Sequence, residues 1–283
     1  MLQEMGVRVW LPGTAFALAT PDAADPPSGM PPPPPVAPPR PALPRAPDAA
    51  LPALAPSAAP APAPAPAPAP QTLPATSDWA SLAASVASCQ ACGLCAGRKR
   101  STLAGPDASA RADWLILGDP PDEEEDAQGL AFAGAAGELL DNMLRALGLY
   151  RSNPRAAVAP PEPLQPQLAA YATSVVKCRP PHGVVPQGAD LAQCAGWLRR
   201  EIALLQPRVI LAMGRFANQL VLAETPELQT QPLDRLRGRT YRFADVPVVL
   251  TYHPKALMRT APNKAKAWAD LCLAADIAET PPP

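Results

Sequence analysis

Beyond residue 110 the chain alternates short apolar runs with stretches of helical periodicity. "ADWLILGD", "YATSVVKC" and "RVILAMG" are apolar runs bounded by Gly, Pro or charged residues, and they read as buried strands. "GELLDNMLRALGL", ending at Gly148, places its apolar residues three and four apart, as an amphipathic helix does. "ADLAQCAGWLRREIALL", "RFANQLVLA" and "KAKAWADLCLAADIA" read as three further helices, and "TYRFADVPVVLTYHP" as a hairpin-like pair of strands. Upstream, "DWASLAASVASC" is a helix with Ser77 or Asp78 as its cap. This alternation predicts an α/β domain around a mainly parallel central sheet. Ligands of such sheets bind at the carboxyl ends of the strands. Three segments follow predicted strands there: "GDPPDEEED", "KCRPP" and "TYHPKALMR".

Composition changes the picture before residue 76. The chain has 283 residues and 43 prolines, many of them in runs such as "APSAAPAPAPAPAPAPQ". Proline removes backbone donors and alanine buries little area, so this stretch is expected to be a disordered, extended Pro/Ala-rich linker. Residues 1–20 form a short N-terminal motif, 21–75 the linker, and 76–280 the folded domain. "MLQEMGVRVWLP" has an apolar face suited to docking a protein partner through the tether.

Net charge is −1, so contact with a polyanion must rest on local clusters such as Arg98-Lys99-Arg100 and the segment after about residue 230. Glu4, Pro12 and Gly13 interrupt what would be a secretory leader, and no apolar run is long enough to span a membrane. A cytoplasmic, reducing setting is the expectation, in which clustered cysteines bind metal or catalyse rather than form disulfides.

Of the six cysteines, Cys89, Cys92 and Cys95 are each separated by two residues. Two thiolates on one tight turn can grip a metal but need partners. Cys178, at the end of a predicted strand, and Cys194, in the next helix, can supply them. A site of Cys89, Cys92, Cys178 and Cys194 would tie the N-terminal helix to the domain body, holding an iron–sulfur cluster or a structural zinc. Spacing does not separate the two. Cys272, on an apolar helix, reads as a small buried hydrophobe.

Six segments in order carry a wider likeness: "CQACGL", "LILGDPPDEEEDAQGLAFAGAAGELL", "VVKCRPP", "PRVILAMGRFA", "LRGRTY" and "TYHPKALMR". Together, over residues 78–277, they resemble the family 4 iron–sulfur uracil-DNA glycosylases. The resemblance implies a three-layer α/β/α fold around a four-stranded parallel sheet. It also implies a [4Fe–4S] cluster on Cys89, Cys92, Cys178 and Cys194, with Cys95 outside the ligand set. The implied activity is hydrolysis of the N-glycosidic bond of uracil in single- or double-stranded DNA, which begins base excision repair. The expected form is a monomer with DNA as partner and no membrane association.

Such chemistry requires extruding the nucleotide, stacking the base and stabilising the uracil anion that leaves. By resemblance Phe132 is the stacking aromatic and His253 the donor to uracil O2. Pro120, Pro121 and Ser174 join Phe132 in binding the base, and Asp119 stands where the family positions water. In "HPKALMR", Leu257 and Met258 are candidate DNA wedges, and Lys255 and Arg259 candidate phosphate contacts. Glu125 and Asp126 match an acidic pair expected to hold the loop.

The family pattern is broken at four positions. A Glu becomes Asp119, one methylene shorter. A Gly becomes Asp122, whose charge is expected to repel phosphate. The Asn that reads uracil becomes Ser174, and the Ser after His-Pro becomes Lys255. The first three departures, Asp119, Asp122 and Ser174, favour as an alternative a weakened or inactive homologue that binds DNA or a repair partner.

Overall fold

The computed structural model describes residues 78–105, 112–152 and 168–280. The expectations for residues 1–75 lie outside the described residues. Five parallel strands form the sheet's body: β1 (Trp114–Gly118), β2 (Leu149–Arg151), β3 (Leu168–Ser174), β4 (Val209–Met213) and β6 (Val246–Thr251). Strand β5 (Thr240–Phe243) pairs antiparallel with β6, and the spatial order is β2-β3-β1-β4-β6-β5.

The sheet thus has six strands rather than the four expected. Strand β2 is only three residues long and follows the helix end at Gly148 directly, too short to show a period of its own. Strand β5 is largely exposed and joined to β6 by a turn through Ala244 and Asp245, both at positive φ. Strand β3 starts at Leu168 and ends at Ser174, so the apolar pair Val175-Val176 belongs to the loop beyond it.

Pleating divides each central strand between two cores. Leu115, Leu117, Ile210, Ala212, Val248 and Leu250 face one side, with α1 (Trp79–Ser88), α4 (Gly188–Leu205) and α5 (Arg215–Val221) packed there. Trp114, Ile116, Val209, Leu211, Met213 and Val249 face the other, against α3 (Gly134–Ala146) and α9 (Asn263–Glu279). Strands buried on both faces need continuous apolar runs, which explains why their sequences showed no alternation. Three layers, α/β/α, result. The Asp78 side chain caps α1 by accepting from the Ser81 N–H at 2.8 Å. Cys272 is half-buried rather than buried, a correction to its expected place in the core.

Chain order reverses at β1, with β3 on one side and β4 on the other. The crevice outside the carboxyl ends of β1 and β4 is therefore where a doubly wound sheet offers a ligand site.

Candidate active site

Strand β1 runs straight into Asp119. Its carboxylate crosses the crevice and accepts from the backbone N–H groups of Phe216 at 2.8 Å, Arg215 at 3.2 Å and Ala217 at 3.3 Å. Asp119 thereby supplies the cap that α5 lacks from its own N-cap residue, Gly214. Gly214 has φ +111°, and a Cβ there would collide with the Asp119 carboxylate. Burial pushes the Asp119 carboxyl above its ordinary range, against the opposing effect of the three donors.

After β6, His253 caps the short helix α8 (Pro254–Arg259), its Nδ1 accepting from the Lys255 N–H at 3.2 Å. An Nδ1 that accepts leaves the ring proton on Nε2. Burial, then the charges of Lys255 and Arg259, pull the His253 pKa down to about 3. His253 is therefore a neutral imidazole with one N–H to donate.

The first motif forms helix α2 (Glu123–Gln128), capped by Asp122. Asp122 and Glu125 make a reciprocal capping box: Asp122 Oδ1 accepts from the Glu125 N–H at 2.9 Å, and Glu125 Oε2 from the Asp122 N–H at 2.9 Å. The Lys255 ammonium sits between them, 2.7 Å from Asp122 Oδ2 and 2.7 Å from Glu125 Oε2. Burial works to lower the Lys255 pKa, but the two carboxylates outweigh it and hold it raised. Asp126 Oδ1 accepts from the Lys99 N–H at 2.8 Å and the Arg100 N–H at 3.2 Å, tying the cysteine segment to the same loop. The acidic pair Glu125-Asp126 thus holds loops together.

Several expected roles are displaced. Phe132 is 1% exposed, and its ring stacks on His253 with centroids 5.1 Å apart and planes 8° from parallel. A base stacked between two rings needs them about 7 Å apart, twice the usual layer spacing of rings in contact. Phe132 is fixed at φ +56°, its N–H donated to Glu125 Oε1 at 2.7 Å and its carbonyl accepting from Arg151 at 2.8 Å. Gly118 makes room for the ring, since a Cβ there would press into it. Phe132 is therefore not an open platform. Ser174 is 1% exposed, and its carbonyl accepts from Lys177 Nζ at 2.8 Å. Leu257 is 1% exposed and packs inward, whereas Met258 is 52% exposed. Lys255 is paired with carboxylates rather than turned outward, and Asp122 is neutralised by it. Pro121 is buried.

A crevice of about 640 Å³ is lined by Asp119, Pro120, His253, Lys255 and Arg259, with Phe132 and Ser174 outside its walls. It also brings in Arg215, Asn218, Gln229, Gln231 and Tyr252, to which the sequence assigned no role. Their signal was position alone: α5 starts at the carboxyl end of β4. Arg215 and Arg259 are exposed and form no ion pair among the described residues. The Asn218 side chain is buried, its Oδ1 without a partner. Arg237 does not reach the crevice wall. It pairs with Asp270 of α9 at 2.8 Å, and Asp270 accepts from Thr251 at 2.7 Å at the end of β6.

Some distance along the chain, Cys89, Cys92, Cys95, Cys178 and Cys194 line one small cavity of about 10 Å³, with Ala91, Gln193 and Trp197. Helix α1 ends at Cys89, and a 3-10 turn (Gly93–Gly97) starts after Cys92. Cys178 follows β3, and Cys194 lies on α4. Arg98 spans the joint, donating to Val86 O at 3.1 Å and to Cys178 Sγ at 3.3 Å. It serves the cysteines rather than an outer basic surface. Burial raises the Cys178 thiol pKa to about 11 and the Cys194 thiol to about 12. Among the described residues, no three His, Cys, Asp or Glu side chains converge as a single ion would need. A mononuclear zinc requires four thiolates about 2.3 Å from one centre.

Residues 106–272 match the family model described as "Uracil DNA glycosylase superfamily". The chain is 31% identical over 178 residues to a type-4 uracil-DNA glycosylase of Archaeoglobus fulgidus, covering 61% of this chain and 79% of that protein. It is 30% identical over 200 residues to one of Pyrobaculum aerophilum, covering 69% and 92%. A third, of Sulfurisphaera tokodaii, is 30% identical over 186 residues, covering 64% and 76%. The chain belongs to the uracil-DNA glycosylase superfamily.

Proposed function

We propose that the protein hydrolyses the N-glycosidic bond of uracil in DNA, at the crevice formed by Asp119, Asn218 and His253. The observation that carries this is the neutral, oriented His253. Its Nε2–H is the one uncommitted ring donor, held where a leaving base would gather negative charge. A fixed neutral donor stabilises such charge with no reorganisation at the moment of bond breaking. Asp119 orders the mouth of α5. Asn218, not Ser174, provides the carboxamide that reads the base edge, since an amide offers both a donor and an acceptor. Arg215 and Arg259 flank the crevice as phosphate contacts, and the exposed Met258 is the wedge.

The four thiols Cys89, Cys92, Cys178 and Cys194 suit an iron–sulfur cluster. In such a cluster each thiolate would hold its own iron, so the thiols need not converge on one point as they must for zinc. The donor set is all sulfur, with Arg98 beside it to balance negative charge. Cys89, Cys92, Cys178 and Cys194 would hold the group. When bound, it would tie α1 to β3 and α4 as a structural brace. Natural type-4 relatives support a place for the chain in DNA repair.

Closure of Phe132 against His253 favours a second reading, a homologue that binds DNA without excising a base. The two part in one assay. Purified, cluster-loaded protein is incubated with uracil-containing oligonucleotides, and abasic sites are cleaved with alkali. Cleavage at the uracil position is expected. Binding with no cleavage at stoichiometric enzyme gives the second reading.

A further inference from the structure

We propose that Lys255 is a positioning residue for His253 rather than a DNA contact, with Asp122 and Glu125 as its obligatory partners. This rests on the proposed function for its kinetic arm only. Three observations meet in Lys255. Its ammonium lies 2.7 Å from both Asp122 Oδ2 and Glu125 Oε2. Its backbone N–H donates to His253 Nδ1 at 3.2 Å. Glu125, buried at 2% exposure, also holds the Phe132 N–H at 2.7 Å. One residue thus joins the loop after β6 to the loop after β1 through its side chain, and orients the imidazole through its main chain.

The geometry leaves the ammonium little to offer a phosphate. Two carboxylates already flank it, and a phosphate would have to displace at least one, taking from the buried Glu125 its ammonium partner. Removing one partner of a buried pair costs more than the pair contributes. Asp122 is likewise no free anion facing DNA. Asp122 and Glu125 share the one ammonium where they stand. Truncating Lys255 frees the loop while leaving the imidazole in place chemically, and a displacement of about 1 Å in a reacting group can lower a rate about 100-fold.

The test compares Lys255→Ala, Lys255→Arg and Arg215→Ala in salt-dependent DNA binding and single-turnover uracil release. Lys255→Ala is expected to lower the rate constant about 10- to 100-fold while leaving the salt slope of binding unchanged, and Lys255→Arg to recover most of the loss. Arg215→Ala should reduce the slope by about one. A Lys255→Ala variant with a slope reduced by about one, or with an unchanged rate, overturns the proposal. If the wild-type chain releases no uracil, the binding slope still decides. So does thermal unfolding of Asp122→Gly, Lys255→Ser and the double variant, which removes both members of the Asp122–Lys255 pair and leaves Glu125 as Lys255→Ser alone does, while Lys255→Arg, which keeps the cation, serves if Lys255→Ala does not fold. The double variant should melt higher than the sum of the single losses predicts. Additive losses overturn the pairing.

Discussion

At the cysteine cavity, five thiols from three separated stretches of chain meet with a single arginine against them, and no carboxylate lines the cavity among the described residues. At the His253 crevice, Asp119, Asp122 and Glu125 are each engaged by named partners: the α5 amides, Lys255, and Lys255 with the Phe132 N–H. The first region gathers the all-sulfur donor set that the proposed cluster would need. In the second, each of these carboxylates already has its partner within the fold. Substitution should therefore act differently in the two. In the first it would act through the loss of a ligand to the proposed cluster. In the second it acts through the partner left behind.

The largest effect is expected from Cys178→Ala. Removing a buried ligand should abolish the broad absorption near 400 nm of anaerobically purified protein and lower the folded fraction, because binding free energy at such sites is folding free energy. Absorption and circular dichroism measure both, and Cys95→Ala should retain the colour. If the Cys95 variant is bleached and the Cys178 variant is not, the ligand set is wrong. Next is His253→Ala, expected to lower uracil release by about 100- to 1,000-fold, as loss of an oriented donor does, and to lower the melting temperature as well, since the α8 cap and the stack on Phe132 are lost with it.

Asp119→Ala uncaps α5. It should cost about 1 kcal/mol, or about 2–4 °C in melting temperature for a domain of this size. No shift would remove the cap from the account.

The smallest effect is a pH dependence. In the unfolded chain His253 takes up its proton near pH 6.5, and in the fold only near 3. Between those values the unfolded state binds more protons, so stability falls as pH drops from 6.5 toward 3. The melting temperature of His253→Asn should fall less between pH 7 and pH 6 than that of the wild type. An equal fall would place the acid sensitivity elsewhere.

Strands buried on both faces, and helices with a repeating apolar stripe, were legible because burial writes itself into composition. The three-residue β2 was not, since three residues carry no period. Thiol convergence was legible because cysteine chemistry restricts what clustered thiols do. The crevice was less so. A lysine beside a histidine reads as a phosphate contact until its neighbours are known, and Asp122 and Glu125 lie 130 or more residues earlier in the chain. Asn218 sits in a helix whose pattern says only that one face is buried. Phe132 was singled out by the resemblance, but whether its ring faces a cavity or His253 depends on a Glu125 carboxylate that grips its backbone.

Single-turnover release of uracil from a single-stranded oligonucleotide, by wild-type and His253→Ala protein with equal iron content, tests the central claim most directly. Release by the wild type and a loss of about 100-fold or more in the variant is the expected result. No release by either protein, or equal release by both, contradicts the assignment of His253 as the donor to the leaving base.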